Sequence, residues 1–422
     1  VKLSDHGRAM AVLGLVLVAA GLLVQRVDVA VIGLPLLVAA AWGLADARRE
    51  VGPVAVVPVP SDEGGHIVGA IRFGHTDLAR VRVTAPGHRS LEMLVAGAQD
   101  GLEASYTSLR TGPQDSFVVQ VAGCDADGVR HTDADVAQAP RWLSLPRALP
   151  LGAVPVPRQL RGVAGSRTAP RLGDGAELWD IDAVTGPARR IDWRTTARRS
   201  PDLSQLYARR TRADGEAVAV LVVDSRDDLG PDLSTWTGYA PARVDEATSL
   251  DLARHAAASV ATALIDAGDR VGLTDLGTLR HTMPPAAGRR HLRRLIHGLA
   301  LTAPIGEARR VRAPAIPSGG IVYLFSTLLD DDPLRLVRAW LEGRHVVVVV
   351  DTLPQVRVPT MLAERLAWDI ARMERDDRIA ALRAHGVPVI AWTGRDRAGA
   401  VRALQAWAVQ LARRGGRIGG AR

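Results

Sequence analysis

Hydrophobic residues open the chain in two uninterrupted runs, Ala9–Val24 and Val29–Ala45, parted only by QRVD. Each run approaches the length of a membrane helix, so the pattern predicts a tight transmembrane hairpin over residues 1–49. Pro35 inside the second run suits a membrane helix better than a soluble one. A cleaved signal peptide is the competing reading, and the second apolar run argues against it. From Val51 to Ala139 the pattern shortens. VAVVPV, HIVGAIRF, ARVRVTA, LEMLVA and SFVVQVA alternate with PSDEGG, GHTD, PGHRS and GPQDS, the rhythm of a small β-sandwich-like domain over residues 50–140. Residues 141–215 carry prolines, glycines and scattered arginines and read as a linking arm.

The pattern changes again at EAVAVLVVD, residues 216–224. Its unbroken apolar run, Ala217–Val223, predicts a strand buried on both faces of a mostly parallel sheet. Asp224 then stands at the carboxyl end, where open α/β sheets place their ligand crevice. Leu250, Ala253, Ala257, Val260 and Leu264 have helical spacing; GIVYLFS, HVVVVVD and VPVIAWT supply further strands over 320–326, 345–351 and 387–393. A longer helical region, Met361–His385, is expected to break near Asp376 and Asp377. This alternation predicts a doubly wound α/β domain over residues 216–414, followed by a disordered tail, 415–422. No GxGxxG follows the first strand and no GxxxxGK[ST] occurs, which removes the usual nucleotide-binding signatures.

Composition adds less. The net charge is +8 with an isoelectric point near 10.6. The arginines are dispersed and lysine is almost absent, so genome bias accounts for the basicity and nucleic acid is not an expected partner. Cys124 alone excludes an internal disulfide. Lys2 and Arg8 precede the first apolar run and Arg48 and Arg49 follow the second, against Arg26 in the turn. The positive-inside rule therefore places both ends and the bulk of the protein in the cytoplasm, at the inner or plasma membrane. His66, His75 and His88 are too far apart in sequence to suggest a shared metal, and His255, His281 and His291 read as surface residues.

One cluster stands out in the arm. ARRIDWRTTAR packs Arg189, Arg190, Trp193, Arg194 and Arg198 into a few positions. With Ile191 and Ala197 it resembles the second half of the signature of a bacterial family, domain of unknown function 58. The first half departs from it, with Asp180, Asp182 and Thr185-Gly186 in place of the usual residues. Members of that family combine a membrane hairpin, a β-rich insert and this signature with a von Willebrand factor A-like domain. The resemblance implies the same fold here, and a partnership with a MoxR-type AAA+ ATPase in envelope biogenesis or complex assembly. It also implies a divalent-cation site for Mg²⁺ or Mn²⁺ at the top of the sheet. Carried over, Asp224 takes the first position, while Arg226 and Asp228 stand where two serines are usual. Thr274 or Asp275 and Ser326 end neighbouring strands, and Asp224, Asp228, Thr327 and Asp330 are the candidate ligands. Arg226 would compete for the same carboxylates. The expected function is a membrane-anchored interaction or scaffold protein, with Arg189, Arg190, Trp193, Arg194, Arg198, Asp224 and Arg226 as candidate partner-contacting residues. The alternative is a metal-assisted hydrolase in which Asp224 and Asp228 position water.

Overall fold

The computed structural model describes residues 2–45, 53–59, 65–74, 78–96, 102–124, 130–157, 160, 167–186, 189–236, 242–277, 282–304, 312–393 and 397–416. The expected tail over 415–422 lies mostly outside these residues, as do His75 and His281. The chain divides into two compact units, one of Val1–Leu109 with Pro113–Ser144, the other of Arg110–Gly112 with Leu145–Arg422.

The first unit begins with a short strand, β1 (Lys2–Leu3), and two apolar helices, α1 (Asp5–Leu23) and α2 (Val27–Ala45). Ser4 caps α1 by accepting the Gly7 N–H at 2.9 Å. The buried positions of α1 are Gly7, Gly14 and Gly21, one every seven residues. A Cβ on Gly33 would stand 2.7 Å from the Gly14 carbonyl, and one on Gly21 would meet the Ala30 backbone nitrogen at 2.5 Å. The helices therefore touch backbone to backbone along a seam of small residues, as membrane helices do. Val12, Leu15, Leu22, Leu23 and Ile32 face outward. By length and composition α1 can cross a membrane; the part of α2 whose side chains are described, Val27–Trp42, is a shorter apolar helix.

Ten further strands follow in this unit: β2 (Ala55–Val59), β3 (His66–Arg72), β4 (Leu78–Thr84), β5 (Leu91–Ala96), β6 (Leu102–Thr107), β7 (Gly112–Gln114), β8 (Val118–Cys124), β9 (Arg130–His131), β10 (Asp135–Gln138) and β11 (Trp142–Ser144). One sheet has the order β2-β3-β6, a second runs β1-β9-β8-β4-β5 with β10 also on β8, and β11 pairs with β7 in a third. The described pairings in the first two are antiparallel. Alternation along β3 and β4 turns Ile67, Ile71, Val81 and Val83 into one shared core with Val56, Tyr106, Phe117, Val119 and Val121.

In the second unit, β12 (Arg167–Val184) and β13 (Leu206–Gly215) form a long antiparallel ribbon with α3 (Trp193–Arg199) between them. The sequence pattern had suggested only an arm here. Sparse apolar residues hide the strands, because a two-stranded ribbon buries little. Next come β14 (Val218–Val223), α4 (Ser249–Asp266), β15 (Arg270–Asp275), β16 (Met283–Ala286), α5 (Arg289–Leu301), β17 (Ile321–Ser326), α6 (Asp332–Glu342), β18 (Val346–Asp351), α7 (Leu362–Ala384), β19 (Val389–Ala391) and α8 (Arg397–Gly416). The sheet order is β16-β15-β14-β17-β18-β19. Every pairing is parallel except β15 with β16, so the sheet is mixed. β16 reads MPPA, and its prolines concealed it in the sequence although an edge strand tolerates them.

All six residues of β14 and of β17 are buried. Ala219, Leu221 and Val223 pack with α4, Leu295 and Leu299 of α5, and Leu404 of α8; Val220 and Val222 face Leu336, Val337 and Trp340 of α6 with Ile379 and Leu382 of α7. Helices thus cover both faces of an α/β sheet, in an arrangement consistent with a von Willebrand factor A-like core. Two expectations are corrected. α7 runs unbroken through Asp376 and Asp377, since charged residues on a solvent-facing helix surface cost little. His255 is buried on α4, accepting the Arg147 N–H at 3.0 Å.

At the amino end of the sheet lies a fully buried carboxylate. Asp269 accepts Arg167 Nε at 2.8 Å and Nη2 at 2.6 Å, and the Ala217 N–H at 3.0 Å. The pair fastens the start of the ribbon to the base of the central strand. Arg167→Met would strand that charge, and is expected to lower unfolding stability by about 3–5 kcal/mol. Denaturant titration of the purified protein, followed by tryptophan fluorescence, measures the loss; a change under about 1 kcal/mol would remove this role.

Candidate functional site

Asp224 follows the last residue of β14, Val223, and does not face an open crevice. The next residues turn Arg226 back so that its Nε and Nη2 donate to the two Asp224 carboxylate oxygens at 2.7 and 2.9 Å. Its Nη1 donates to Asp332 at 2.8 Å, and Asp330 lies 2.8 Å from the same nitrogen. Ser326, at the end of β17, donates to Asp224 at 2.8 Å. Both members of the central pair are 7% exposed, whereas Asp330 is 48% exposed. Burial disfavours a charged guanidinium, but hydrogen bonds and charge from Asp224, then Asp330, outweigh it and hold Arg226 above its ordinary value.

Neighbouring positions repeat the device. Asp351, at the end of β18, pairs with Arg375 of α7, whose Nε also donates to the Thr327 carbonyl at 2.9 Å. Arg378 pairs with the exposed Asp331 at 2.6 Å. Asp275, at the end of β15, accepts Ser225 Oγ and the Gly277 N–H. Asp228 is drawn elsewhere, to Arg110 at 3.1 Å, and Arg110 also reaches Asp251 at 2.7 Å. Asp251 closes a capping box with Thr248 at the start of α4. Asp227 has no ion pair among the described residues, and desolvation followed by the Asp224 charge raises its carboxyl above the ordinary value.

The four candidate cation ligands are therefore not assembled as such. Arg226 takes Asp224 and Asp330, Arg110 takes Asp228, and Thr327 contributes its backbone carbonyl to Arg375. Among the described residues no group of three or more His, Cys, Asp or Glu side chains could hold a metal ion. A divalent cation does not fit beside Arg226, because its charge would lie among the carboxylates the guanidinium already neutralises. Asp332, Asp351 and Arg375 were missed in the sequence. Asp351 carried a signal, ending HVVVVVD as Asp224 ends VLVVD; Arg375 carried none.

The arginine–tryptophan cluster lies elsewhere in this unit, on and around α3. Asp192 caps the helix, accepting the Thr195 N–H at 2.8 Å, and its other oxygen accepts Arg209 Nε at 2.7 Å. That backbone bond, then Arg209, lowers its carboxyl to about 2. Trp193 is 62% exposed. Arg189, Arg190, Arg194 and Arg198 are also exposed, and Arg190 bonds the Gly175 carbonyl and Thr211 of the ribbon. Arg194 and Arg198 make no ion pair to a described residue. Alongside, Arg199 stacks over Tyr207 and Arg212 over the partly exposed Trp179, at 5.5 and 5.1 Å to the ring centroids. The sequence-chosen residues thus fall into two groups, an internally neutralised sheet edge and an outward-facing Arg–Trp surface.

Fold and site together define an α/β protein whose sheet edge is closed by internal ion pairs and whose signature residues point outward. Residues 186–360, running from the Arg–Trp surface past β18, match the family described as "Protein of unknown function DUF58". No curated protein and no solved structure shows a significant match to the chain.

Two outcomes test the geometry. Arg226→Met is expected to cost about 3–5 kcal/mol, as a buried pair broken on one side does. Millimolar Mn²⁺ should then raise the variant's melting temperature while leaving wild type unchanged, since only the variant frees Asp224 and Asp330 for a cation, Asp332 keeping its pair with Arg335 at 2.6 Å. Equal responses to Mn²⁺ would contradict the assignment of Arg226 as the resident cation. The second outcome concerns Asp192. Its folded pKa of about 2 lies below the unfolded value, so its contribution is complete above about pH 4 and lost as pH falls through about 2. Asp192→Ala should flatten that part of the acid-stability profile, measured by circular dichroism.

Proposed function

We propose that this protein is a membrane-anchored, cytoplasm-facing interaction protein whose docking face is the Arg–Trp surface of α3 and the adjoining ribbon. The observation that carries this reading is Trp193, 62% exposed and flanked by Arg194 and Arg198, which make no ion pair to a described residue, inside the stretch that matches DUF58. An exposed tryptophan between guanidinium groups is costly to leave in water and matches the composition of binding hot spots. Such a surface suits a partner with an acidic face. The family resemblance supplies the partner to test first, a MoxR-type AAA+ ATPase acting in envelope biogenesis or complex assembly. The glycine-seamed apolar helices, with leucine and valine outward, support anchoring in lipid. The basic flanks, Lys2 and Arg8 against the single Arg26, support the cytoplasmic orientation. No observation favours the hydrolase alternative, because Asp224 and Asp228 are held by separate arginines rather than poised over water.

Co-purification of a co-expressed MoxR-type AAA+ ATPase with the full chain from membranes tests the reading. Wild type is expected to retain the ATPase, and Trp193→Ala with Arg194→Glu to weaken binding by about tenfold or more. Loss with Asp227→Lys alone would move the docking face to the sheet edge. Failure of wild type to retain the ATPase would remove the proposed partner.

A further inference from the structure

Helix α7 turns one side to its own unit and leaves an apolar stripe on the other. Inward, Ile379 and Leu382 join the core, Trp368 meets Trp236 edge to face at 5.6 Å, and Arg375 pairs with Asp351. Outward, Leu362, Leu366, Ile370 and Met373 recur at three-four spacing and are 69, 56, 61 and 65% exposed. Val358 and Met361 extend the patch past the start of the helix. Single exposed hydrophobics are ordinary on a surface; a continuous stripe of them marks a contact site.

A charged stripe runs beside the apolar one. Arg365, Asp369, Arg372 and Asp376 also keep three-four spacing, and their signs alternate. Asp369 and Arg372 stand 3.9 Å apart with half-exposed side chains, while the exposed Arg365 and Asp376 make no ion pair to a described residue. Arg365 and Asp376 are about 16 Å apart along the helix at 1.5 Å per residue, so they cannot meet within one chain. An antiparallel second copy removes that separation. Reversal about a point between Ile370 and Ala371 sets Arg365 against Asp376, and the same axis sets Asp369 against Arg372. The apolar stripe fits this register too. Met373 of the second copy falls between Leu366 and Ile370, Leu362 lies over Ala380 of the second copy, and the two Ile370 positions adjoin the axis. A two-fold makes every such contact twice. A parallel pair would instead oppose Arg365 to Arg365 and Asp376 to Asp376.

We propose that the outer face of α7 is a self-association surface, on which a second copy of this chain lays its own α7 antiparallel about a two-fold axis beside Ile370. The alternation of sign selects this occupant. An anionic bilayer, or a partner with a uniformly acidic face, would be drawn to Arg365 and Arg372 but repelled by Asp369, Asp376 and the neighbouring Asp377. A surface carrying the reversed alternation complements the stripe, and the helix itself, turned end for end, is such a surface. One helix per copy falls short of the roughly 1,600 Å² of a standard complex, so the dimer is reversible and of micromolar affinity.

Sedimentation of the full chain in non-ionic detergent over a range of concentrations tests the association, with circular dichroism to confirm that each variant folds. Wild type is expected to dimerise reversibly. Leu366→Asp should weaken the dimer about tenfold or more, and so should Arg365→Asp or Asp376→Arg alone. Arg365→Asp combined with Asp376→Arg should restore it, because the exchanged charges are again complementary. Cross-linking in membranes with a short bismaleimide, in a Cys124→Ser background, reads the register. Ile370→Cys should link to itself and Leu362→Cys should not, whereas Leu362→Cys mixed with Ala380→Cys should link. A wild type that stays monomeric, a dimer indifferent to Leu366→Asp, or single charge reversals that the double variant does not rescue would each overturn the proposal. Asp376→Arg that strengthens attachment to phosphatidylglycerol vesicles without weakening self-association would assign the face to lipid and overturn it as well.

Discussion

A sheet buried on both faces can place charge only at its two ends, and the second unit is built around that constraint. β14 and β17 contain no exposed residue, so the polar groups closing the strands collect at the base and at the top. Each is then partly desolvated and must be neutralised where it stands. At the base this is done by Arg167 on Asp269, and at the top by Arg226 on Asp224 and Arg375 on Asp351. The three acids belong to the sheet or the turns beside it. The three arginines arrive from the ribbon, the loop after β14 and α7. The ion pairs therefore fix the position of peripheral segments against an apolar centre that has no directional preference of its own.

The same geometry explains why arginine serves here. On both Asp224 and Asp269 the guanidinium engages the two carboxylate oxygens through Nε and Nη2. A planar fork can do this at one carboxylate while its remaining donors reach others, as Arg226 does toward Asp330 and Asp332. A lysine ammonium offers a single point of charge and could not chelate in this way. Basicity that the composition alone attributes to genome bias therefore includes a set of arginines with defined structural work, alongside others on α3 that face solvent.

What the sequence made legible follows the same division. β14, β17 and β18 were readable because double-sided burial demands unbroken apolar runs, and α4 because one buried stripe imposes a three-four spacing. The ribbon of β12 and β13 was not, since its sides are open and ARRTRAD carries no apolar alternation. β16 was hidden by Pro284 and Pro285, and its antiparallel pairing adds one edge strand to a sheet whose other pairings are parallel, in line with the mostly parallel sheet expected. Asp224 and Arg226 were picked out at the strand end, but their spacing could not show that the arginine folds back onto its neighbour. That outcome depends on Asp330 and Asp332, more than a hundred residues away, and on a short loop holding Leu328 at φ 60°.

These observations bear on where recognition can occur. In open α/β sheets the carboxyl edge is the natural binding place because strand ends leave polar groups unpaired above a crevice. Here that potential is already spent within the chain. A ligand entering above Asp224 would have to displace a guanidinium bound through several charge-assisted hydrogen bonds, gaining little that the protein does not already have. Trp193, Arg194 and Arg198 are in the opposite situation: all three are exposed, and Arg194 and Arg198 make no ion pair to a described residue, which is what the proposed docking reading rests on. On the proposed reading, the buried ion pairs and the exposed signature are two consequences of one arrangement, with arginines divided between holding the sheet and meeting a partner.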